Sequence, residues 1–169
     1  MGASVTSFVV AFGAPAQTPA ARVQELADGM WFEAGPLGAG IAGGDLVCSP
    51  QWVVSVTALG DLAGRPPVRR SRAKAGTHIA VAGHLGRSAA GLALWQNDIA
   101  GFDELRKHHL VPRPPYGQGV AAAEAGALAM TDVSDGLLAD LGHIARASGV
   151  VIDVRADALQ SDIDVVAAA

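Results

Sequence analysis

The chain has 169 residues, 50% of them hydrophobic, with a formal net charge of −4 at pH 7 and one cysteine, Cys48. These values exclude a disordered protein and an internal disulfide, and the scattered Lys and Arg residues argue against nucleic acid as a partner. Because no leader pattern and no apolar run of membrane-spanning length is found, the sequence predicts a cytoplasmic protein with no membrane contact.

The first half of the chain predicts the order strand, helix, strand, strand. Val- and Phe-rich or β-branched runs indicate the strands, and apolar residues at helical spacing indicate the helix. Thr18 is expected to cap this helix and Gly35 to end it, with Met30 and Trp31 in the core. The predicted elements are a strand at residues 4–12, a helix at 19–34, and strands at 38–47 and 52–59.

Residues 65–76 differ in composition from the regions on either side. They are rich in proline and positive charge and poor in apolar residues, which is typical of a linker. The arginines of the run Arg69-Arg70-Ser71-Arg72 could form a solvated basic loop, or one of them could hold phosphate oxygens bidentately if the loop folds over bound ATP. Both interpretations stay open. The sequence therefore predicts two domains, residues 1–64 and 77–169.

The second half predicts alternating strands and helices. Strands are expected at residues 78–82, directly before Asp132, and at 150–154. Helices are expected at residues 88–95, 102–110, 117–126, 137–147 and 158–169. The fold class is therefore α/β (α+β), with a strand-helix-strand-strand domain followed by a second α/β domain.

Residues 132–136, Asp-Val-Ser-Asp-Gly, here called the acidic corner, lie where a buried segment ends and a helix begins. The first amides of a helix have no internal partner and attract anions, whereas nearby carboxylates repel a bare phosphate. Asp132, Ser134 and Asp135 together therefore predict a metal-bound phosphate. Simple capping of the helix by Ser134 or Asp135 is the open alternative.

A second carboxylate follows two glycines in the sequence Gly43-Gly44-Asp45. Adjacent glycines weaken a strand unless a ligand or another backbone approaches closely, so nucleotide contact, a bulge and tight packing all stay open. Asp45, Asp132 and Asp135 are the best metal candidates, since carboxylate oxygens suit Mg²⁺ when phosphates complete its shell. Ordinary surface or capping roles are expected for the histidines, His78, His84, His108, His109 and His143.

A series of short motifs in this order resembles thiamine-monophosphate kinase, of the superfamily that includes aminoimidazole ribonucleotide synthetase and selenophosphate synthetase. The resemblance runs over nearly the whole chain and is strongest to the actinobacterial type. The Arg-Ser linker and the acidic corner favour the thiamine branch. The motifs are Gly43-Gly44-Asp45-Leu46, residues 54–60, Arg70-Ser71, residues 86–92, residues 109–112 and the acidic corner with Leu137.

This resemblance implies ATP-dependent phosphorylation of thiamine monophosphate to thiamine diphosphate with several Mg²⁺ ions. It also implies a homodimer, an ATP- and Mg²⁺-binding N-terminal domain, a C-terminal α/β domain and a site between them. The implied ATP-binding residues are Gly44, Asp45, Arg70 and Ser134, and the implied metal ligands are Asp45, Asp132 and Asp135.

The resemblance further implies that parts of the family pattern are missing. Family members carry a Gly-Asp-Asp metal loop before this region and a Gly-Gly-Glu-Asp motif after it. Both domains are therefore expected to be incomplete, with no substrate-binding residue retained and activity impaired. Arg72 also stands where the family usually has glycine. Two alternatives stay open: a non-catalytic remnant that folds or associates without turnover, and another phosphotransferase or synthetase of the superfamily.

Overall fold

The computed structural model describes residues 2–159 and 162–168. The chain divides into two compact units, Gly2–Pro67 and Val68–Ala169, here called the N-terminal and C-terminal units. The division lies inside the segment 65–76. As predicted, the fold is mixed α/β, with one three-stranded sheet and six α-helices among the described residues. None of the described helices is both long enough and apolar enough to cross a membrane.

The N-terminal unit is built on a sheet of strand order β2-β1-β3. Its central strand β1 (Ser4–Ala14) pairs in parallel with β2 (Gly40–Cys48) and antiparallel with β3 (Val53–Asp61). Helix α1 (Ala20–Ala34) connects the two parallel strands, because a parallel pair needs a crossover connection. The predicted order of strand, helix, strand, strand is confirmed.

Helix α1 turns its apolar stripe towards the sheet, but two details of its prediction are wrong. Pro19 is the N-cap instead of Thr18, whose amide closes a turn on the Pro15 carbonyl at 2.9 Å. Trp31 is 50% exposed and is no core residue in this unit, whereas Met30 is half-buried. A helix on one sheet can bury only one stripe, and Trp31 lies at the edge of that stripe.

The core of the N-terminal unit is small. Phe12 is its one large buried side chain among the described residues, and it packs edge-on against Trp52 with ring centroids 5.2 Å apart. Every residue of β3 is exposed. No other described element of this unit therefore covers β3.

The C-terminal unit consists of helices joined by irregular segments. Its predicted helices are confirmed, although the last begins later than expected, and residues 160, 161 and 169 of that prediction lie outside the described part of the chain. The helices are α2 (Arg87–Gln96), α3 (Asp103–Leu110), α4 (Gln118–Glu124), α5 (Leu137–Ser148) and α6 (Ile163–Ala168).

The three strands predicted in the second half are wrong. Residues 78–82, the segment before Asp132 and residues 150–154 are not strands in the structure. Their composition suits a strand, but a strand is held by hydrogen bonds to a neighbouring strand, and no described segment of this unit provides one. Val151 is accordingly 96% exposed.

Helices α2 and α3 form the tightest packing of the C-terminal unit. Leu94 and Leu105 are the largest fully buried side chains that the structure describes. A Cβ atom at Gly91 would lie only 2.1 Å from the Leu105 carbonyl oxygen. Glycine at this position therefore allows the two helices to approach each other closely.

Arg87, at the start of α2, holds the segment that leads into α6. Its Nε donates a hydrogen bond to Asp162 Oδ2 at 2.6 Å, and its Nη1 lies 3.2 Å from His108 Nε2. The hydrogen bond from Arg87 lowers the pKa of Asp162 below its ordinary value of 3.8. The ionised carboxylate is therefore the form that the folded C-terminal unit favours.

We expect acid to weaken this attachment of α6. Because the pKa of Asp162 is lower in the folded state than in the unfolded state, its ionised form stabilises the unit above about pH 4, and this stabilisation is lost as the pH falls further. Replacing Asp162 by asparagine should remove that acid-dependent loss. Urea unfolding midpoints measured over a pH series should therefore flatten in D162N at the acid end. The control is D103N, since the Asp103 side chain is 91% exposed. Equal acid dependence in D162N and the parent chain would contradict the expectation.

Candidate functional site

The acidic corner presents its polar side chains at the surface of the C-terminal unit. Asp132, Ser134 and Asp135 are all exposed. Helix α5 begins after Gly136, which is the N-cap, and no side chain caps this helix. The capping interpretation of Ser134 and Asp135 is therefore wrong, because neither side chain bonds to an amide of the first turn. The N-cap position has a backbone φ of 111°, which favours the glycine found there.

The backbone of the acidic corner is held by a residue that lies inside α5. Asp140 Oδ2 accepts hydrogen bonds from the amide of Ser134 at 3.0 Å and from the amide of Asp135 at 3.1 Å. Asp140 is only 2% exposed. These two amides therefore point at a carboxylate of the protein and are not available to bind an anionic ligand, whereas the exposed side chains of Ser134 and Asp135 are.

Arg70 lies beside the acidic corner. Its Nε donates to Thr131 Oγ1 at 3.1 Å, and its Nη2 lies 3.7 Å from Asp132 Oδ1. The turn that carries it is fixed by Ser148 at the end of α5, whose hydroxyl donates to the Arg70 carbonyl at 2.7 Å and accepts from the Ala73 amide at 3.1 Å. A guanidinium group and a carboxylate are thus brought together from positions far apart in the sequence.

The two glycines of the Gly43-Gly44-Asp45 sequence have structural explanations in the N-terminal unit. The pairing of β1 with β2 shifts between Phe8 and Val9, so Gly43 follows a bulge and has a φ of 154°. A Cβ atom at Gly44 would lie 1.8 Å from the Val10 carbonyl oxygen. The bulge and tight packing, two of the three interpretations left open, are therefore both present here.

Asp45 follows these glycines and is exposed. Its Oδ1 accepts a hydrogen bond from the Leu46 amide at 2.9 Å. It lies at the edge of a cavity of about 480 Å³ between α1 and the sheet, whose other lining is mostly apolar. The apolar lining suits a hydrocarbon surface better than a phosphate group, so a role of Asp45 with nucleotide depends on its exposed carboxylate alone.

A compact group of possible metal ligands lies at the start of α5. The ligand atoms of Asp135, Asp140 and His143 all lie within 4.8 Å of one another. The carboxylates of this group and the nearby Asp132 are the oxygen donors that Mg²⁺ prefers, so the residues present fit that ion. His143 Nδ1 also lies 2.9 Å from Arg146 Nη2, which occupies one of its ring nitrogens.

Sequence reasoning missed Asp140. Its signal is its position, since Leu137, Leu141 and Ile144 mark the buried stripe of α5 and Asp140 falls on the same helical face. A charged residue on a buried face requires a partner. The sequence alone does not identify that partner as the backbone of the acidic corner.

The structure brings some predicted site residues together. Arg70 and Asp132 are in contact, and Ser134 and Asp135 share one hydrogen-bond acceptor. Gly44 and Asp45 belong to the other compact unit. The convergence of Asp45 with the acidic corner therefore stays a prediction.

Comparison with known proteins agrees with the resemblance found in the sequence. Residues 74–168 match the family model described as AIR synthase related protein, C-terminal domain. The thiamine-monophosphate kinase of Mycobacterium tuberculosis is 68% identical over 169 residues, which are 100% of this chain and 51% of that protein. The chain thus spans about half the length of the curated relatives it matches.

Solved structures give the same result. The thiamine-monophosphate kinase of Stenotrophomonas maltophilia has a TM-score of 0.80 and 36% identity, with 88% of this chain and 49% of that one covered. AaThiL complexed with AMPPCP and TMP has a TM-score of 0.75 and 26% identity, with 88% and 48% covered. The chain therefore belongs to the AIR synthase-related protein family and is similar to its thiamine-monophosphate kinases.

Proposed function

We propose that this chain acts as part of a thiamine-monophosphate kinase, which transfers the γ-phosphoryl group of ATP to thiamine monophosphate and gives thiamine diphosphate and ADP. The observation that carries the proposal is the contact between Arg70 and Asp132 at the acidic corner. A guanidinium group beside exposed carboxylates suits a metal-bound nucleotide phosphate, because the carboxylates can hold the metal and the guanidinium group can hold phosphate oxygens. The names of the similar proteins support the same reaction.

In this proposal Asp132, Asp135 and Asp45 are the residues that would hold Mg²⁺. Mg²⁺ at these carboxylates would neutralise and orient the phosphates of ATP. Arg70 binds phosphate oxygens through its planar guanidinium group, and the Ser134 hydroxyl donates a hydrogen bond to the nucleotide. Gly44 would contribute to nucleotide binding through its backbone, since the position of its absent side chain is occupied by the Val10 carbonyl oxygen. Positioning and charge neutralisation are thus the main contributions of the protein.

The proposal includes a homodimer in the cytoplasm. Among the described residues, β3 is exposed along its whole length and carries large apolar side chains such as Val56, 53% exposed, and Leu59, 50% exposed. An uncovered strand of this kind favours pairing with another chain. The single cysteine is consistent with a reducing compartment.

Arg70 offers a direct test of the phosphate contact. We expect R70A to weaken binding of Mg²⁺·ATP by about 10- to 100-fold, since a hydrogen bond to a charged group is worth about 1.5–3 kcal/mol. R70K should recover only part of this loss, because lysine lacks the planar fork. Isothermal titration measures the affinities. Arg72, exposed in the same turn, gives the matched control R72A. Equal losses in R70A and R72A would indicate general basic charge instead of a specific contact.

Turnover separates the two leading candidate functions. The purified chain is incubated with ATP, Mg²⁺ and thiamine monophosphate, and thiamine diphosphate is measured by chromatography. Formation of thiamine diphosphate that requires all three components supports the kinase. Self-association without product supports the second candidate, a non-catalytic protein that associates through its exposed strand β3. Phosphorylation of a different acceptor, added in place of thiamine monophosphate, supports another enzyme of the superfamily.

A further inference from the structure

Among the residues that the structure describes, Asp140 is the one charged residue that is buried. The proposed function gives it no role. Burial of a carboxylate is costly unless hydrogen bonds satisfy it. Asp140 satisfies one oxygen with two successive backbone amides, those of Ser134 and Asp135. This arrangement lies directly before the first turn of α5, where the helix dipole also favours a negative charge.

We propose that Asp140 is the positioning residue of the acidic corner. The inference rests on the proposed function, because it assigns Asp140 the task of presenting the side chains that bind the Mg²⁺-bound nucleotide. By holding both amides inwards, Asp140 fixes the backbone from which the exposed side chains of Ser134 and Asp135 project. Gly136 joins this backbone to α5 with a φ of 111°, which L side chains rarely adopt.

The same amides would otherwise form an anion-binding concavity, since consecutive backbone N–H groups at a helix start attract phosphate. Asp140 occupies that concavity with a carboxylate of the protein. Nucleotide phosphate is consequently held by side chains and metal, and free phosphate without a metal is disfavoured by the added negative charge.

The test compares D140A with D140N in the full chain. Asparagine keeps an acceptor oxygen in nearly the same place, whereas alanine removes both hydrogen bonds. Hydrogen exchange followed by NMR reports the Ser134 and Asp135 amides, and isothermal titration reports the affinity for Mg²⁺·ATP. The control D153N changes an exposed aspartate of the same unit. Slow exchange at the buried Leu94 and Leu105 amides shows that each variant is folded.

We expect D140A to accelerate exchange of the two amides and to weaken Mg²⁺·ATP binding by about 10- to 100-fold, the usual cost of losing support behind a metal ligand. D140N should stay within about threefold of the parent chain in affinity, since its amide oxygen still accepts both bonds. If Asp140 were a direct metal ligand, D140N would lose the charge and would not recover the affinity that D140A loses.

Three outcomes overturn the inference: unchanged exchange in D140A, parental affinity in D140A, or equal losses in D140N and D140A, which would make Asp140 a ligand. Failure of the proposed function is recognised separately, as absence of Mg²⁺·ATP binding by the parent chain. In that case the role of Asp140 in presenting phosphate ligands is rejected together with the proposed function. The exchange measurement still decides whether Asp140 holds the backbone of the acidic corner.

Discussion

Replacement of Gly44 by alanine is expected to destabilise the N-terminal unit strongly. The added Cβ would lie 1.8 Å from the Val10 carbonyl oxygen and 2.7 Å from the Val10 carbonyl carbon, both of them backbone atoms of the central strand. A flexible side chain could move away, but this backbone is held by pairing on both sides, to β2 and to β3. The sheet must therefore separate locally or lose its register.

Overpacking of this kind costs about 1–3 kcal/mol or more, and 1 kcal/mol shifts the melting temperature of a domain this size by about 4–8 °C. Thermal unfolding followed by circular dichroism should show a fall of on the order of 10 °C in G44A. Gly40 provides the matched control, because it lies in the same strand and a Cβ there meets nothing within 4 Å. If G44A and G40A unfold at the same temperature, close packing is not the reason for glycine at position 44.

Replacement of Asp132 by asparagine is expected to have the largest effect on nucleotide binding. In the proposed function Asp132 is a metal ligand, and its Oδ1 also lies 3.7 Å from Arg70 Nη2. Asparagine keeps the size and the oxygen but removes the charge. We expect the affinity for Mg²⁺·ATP to fall on the order of 10²-fold, equivalent to about 2.7 kcal/mol.

The dependence on Mg²⁺ separates the metal role from the contact with Arg70. Without Mg²⁺, D132N should bind ATP no more weakly than the parent chain, because the lost carboxylate then has no ion to hold and no longer repels phosphate. Titrations with Mg²⁺ and with a chelator make the comparison, and D153N again serves as the control. A loss of the same size with and without Mg²⁺ would remove Asp132 from the metal site.

The local pattern of the sequence was enough to locate most elements. β1, α1, β2 and β3 occur in the predicted order, because an isolated strand or helix is marked by the period of its own apolar residues. Helix α5 begins at Leu137 and ends before Gly149, whose left-handed backbone with a φ of 66° terminates it as glycine commonly does. These features depend on neighbours in the sequence.

The predictions of strands at residues 78–82 and 150–154 were wrong, because a strand depends on a partner that can be distant in the sequence. Their composition favours a strand, yet a strand exists only when another segment hydrogen-bonds to it. The prediction that Trp31 lies in the core was wrong for a similar reason, because its exposure depends on which residues cover that side of α1. A pattern in the sequence gives the preference of a segment and contains no information about its partner.

The sequence by itself determined the family resemblance, the order of the elements in the first half and the candidate residues Gly44, Asp45, Arg70, Asp132, Ser134 and Asp135. Only the tertiary structure decided that Arg70 lies against Asp132 and that Asp140 holds the acidic corner. The physical reason is that residue type and spacing act along the chain, whereas Arg70 reaches Asp132 only when the linker turn and α5 pack against each other. Asp140 reaches the acidic corner only when the chain before α5 folds back over the first turn of that helix. Ser148, at the end of α5, makes the contact with the linker turn by hydrogen bonds to Arg70 and Ala73 of the turn.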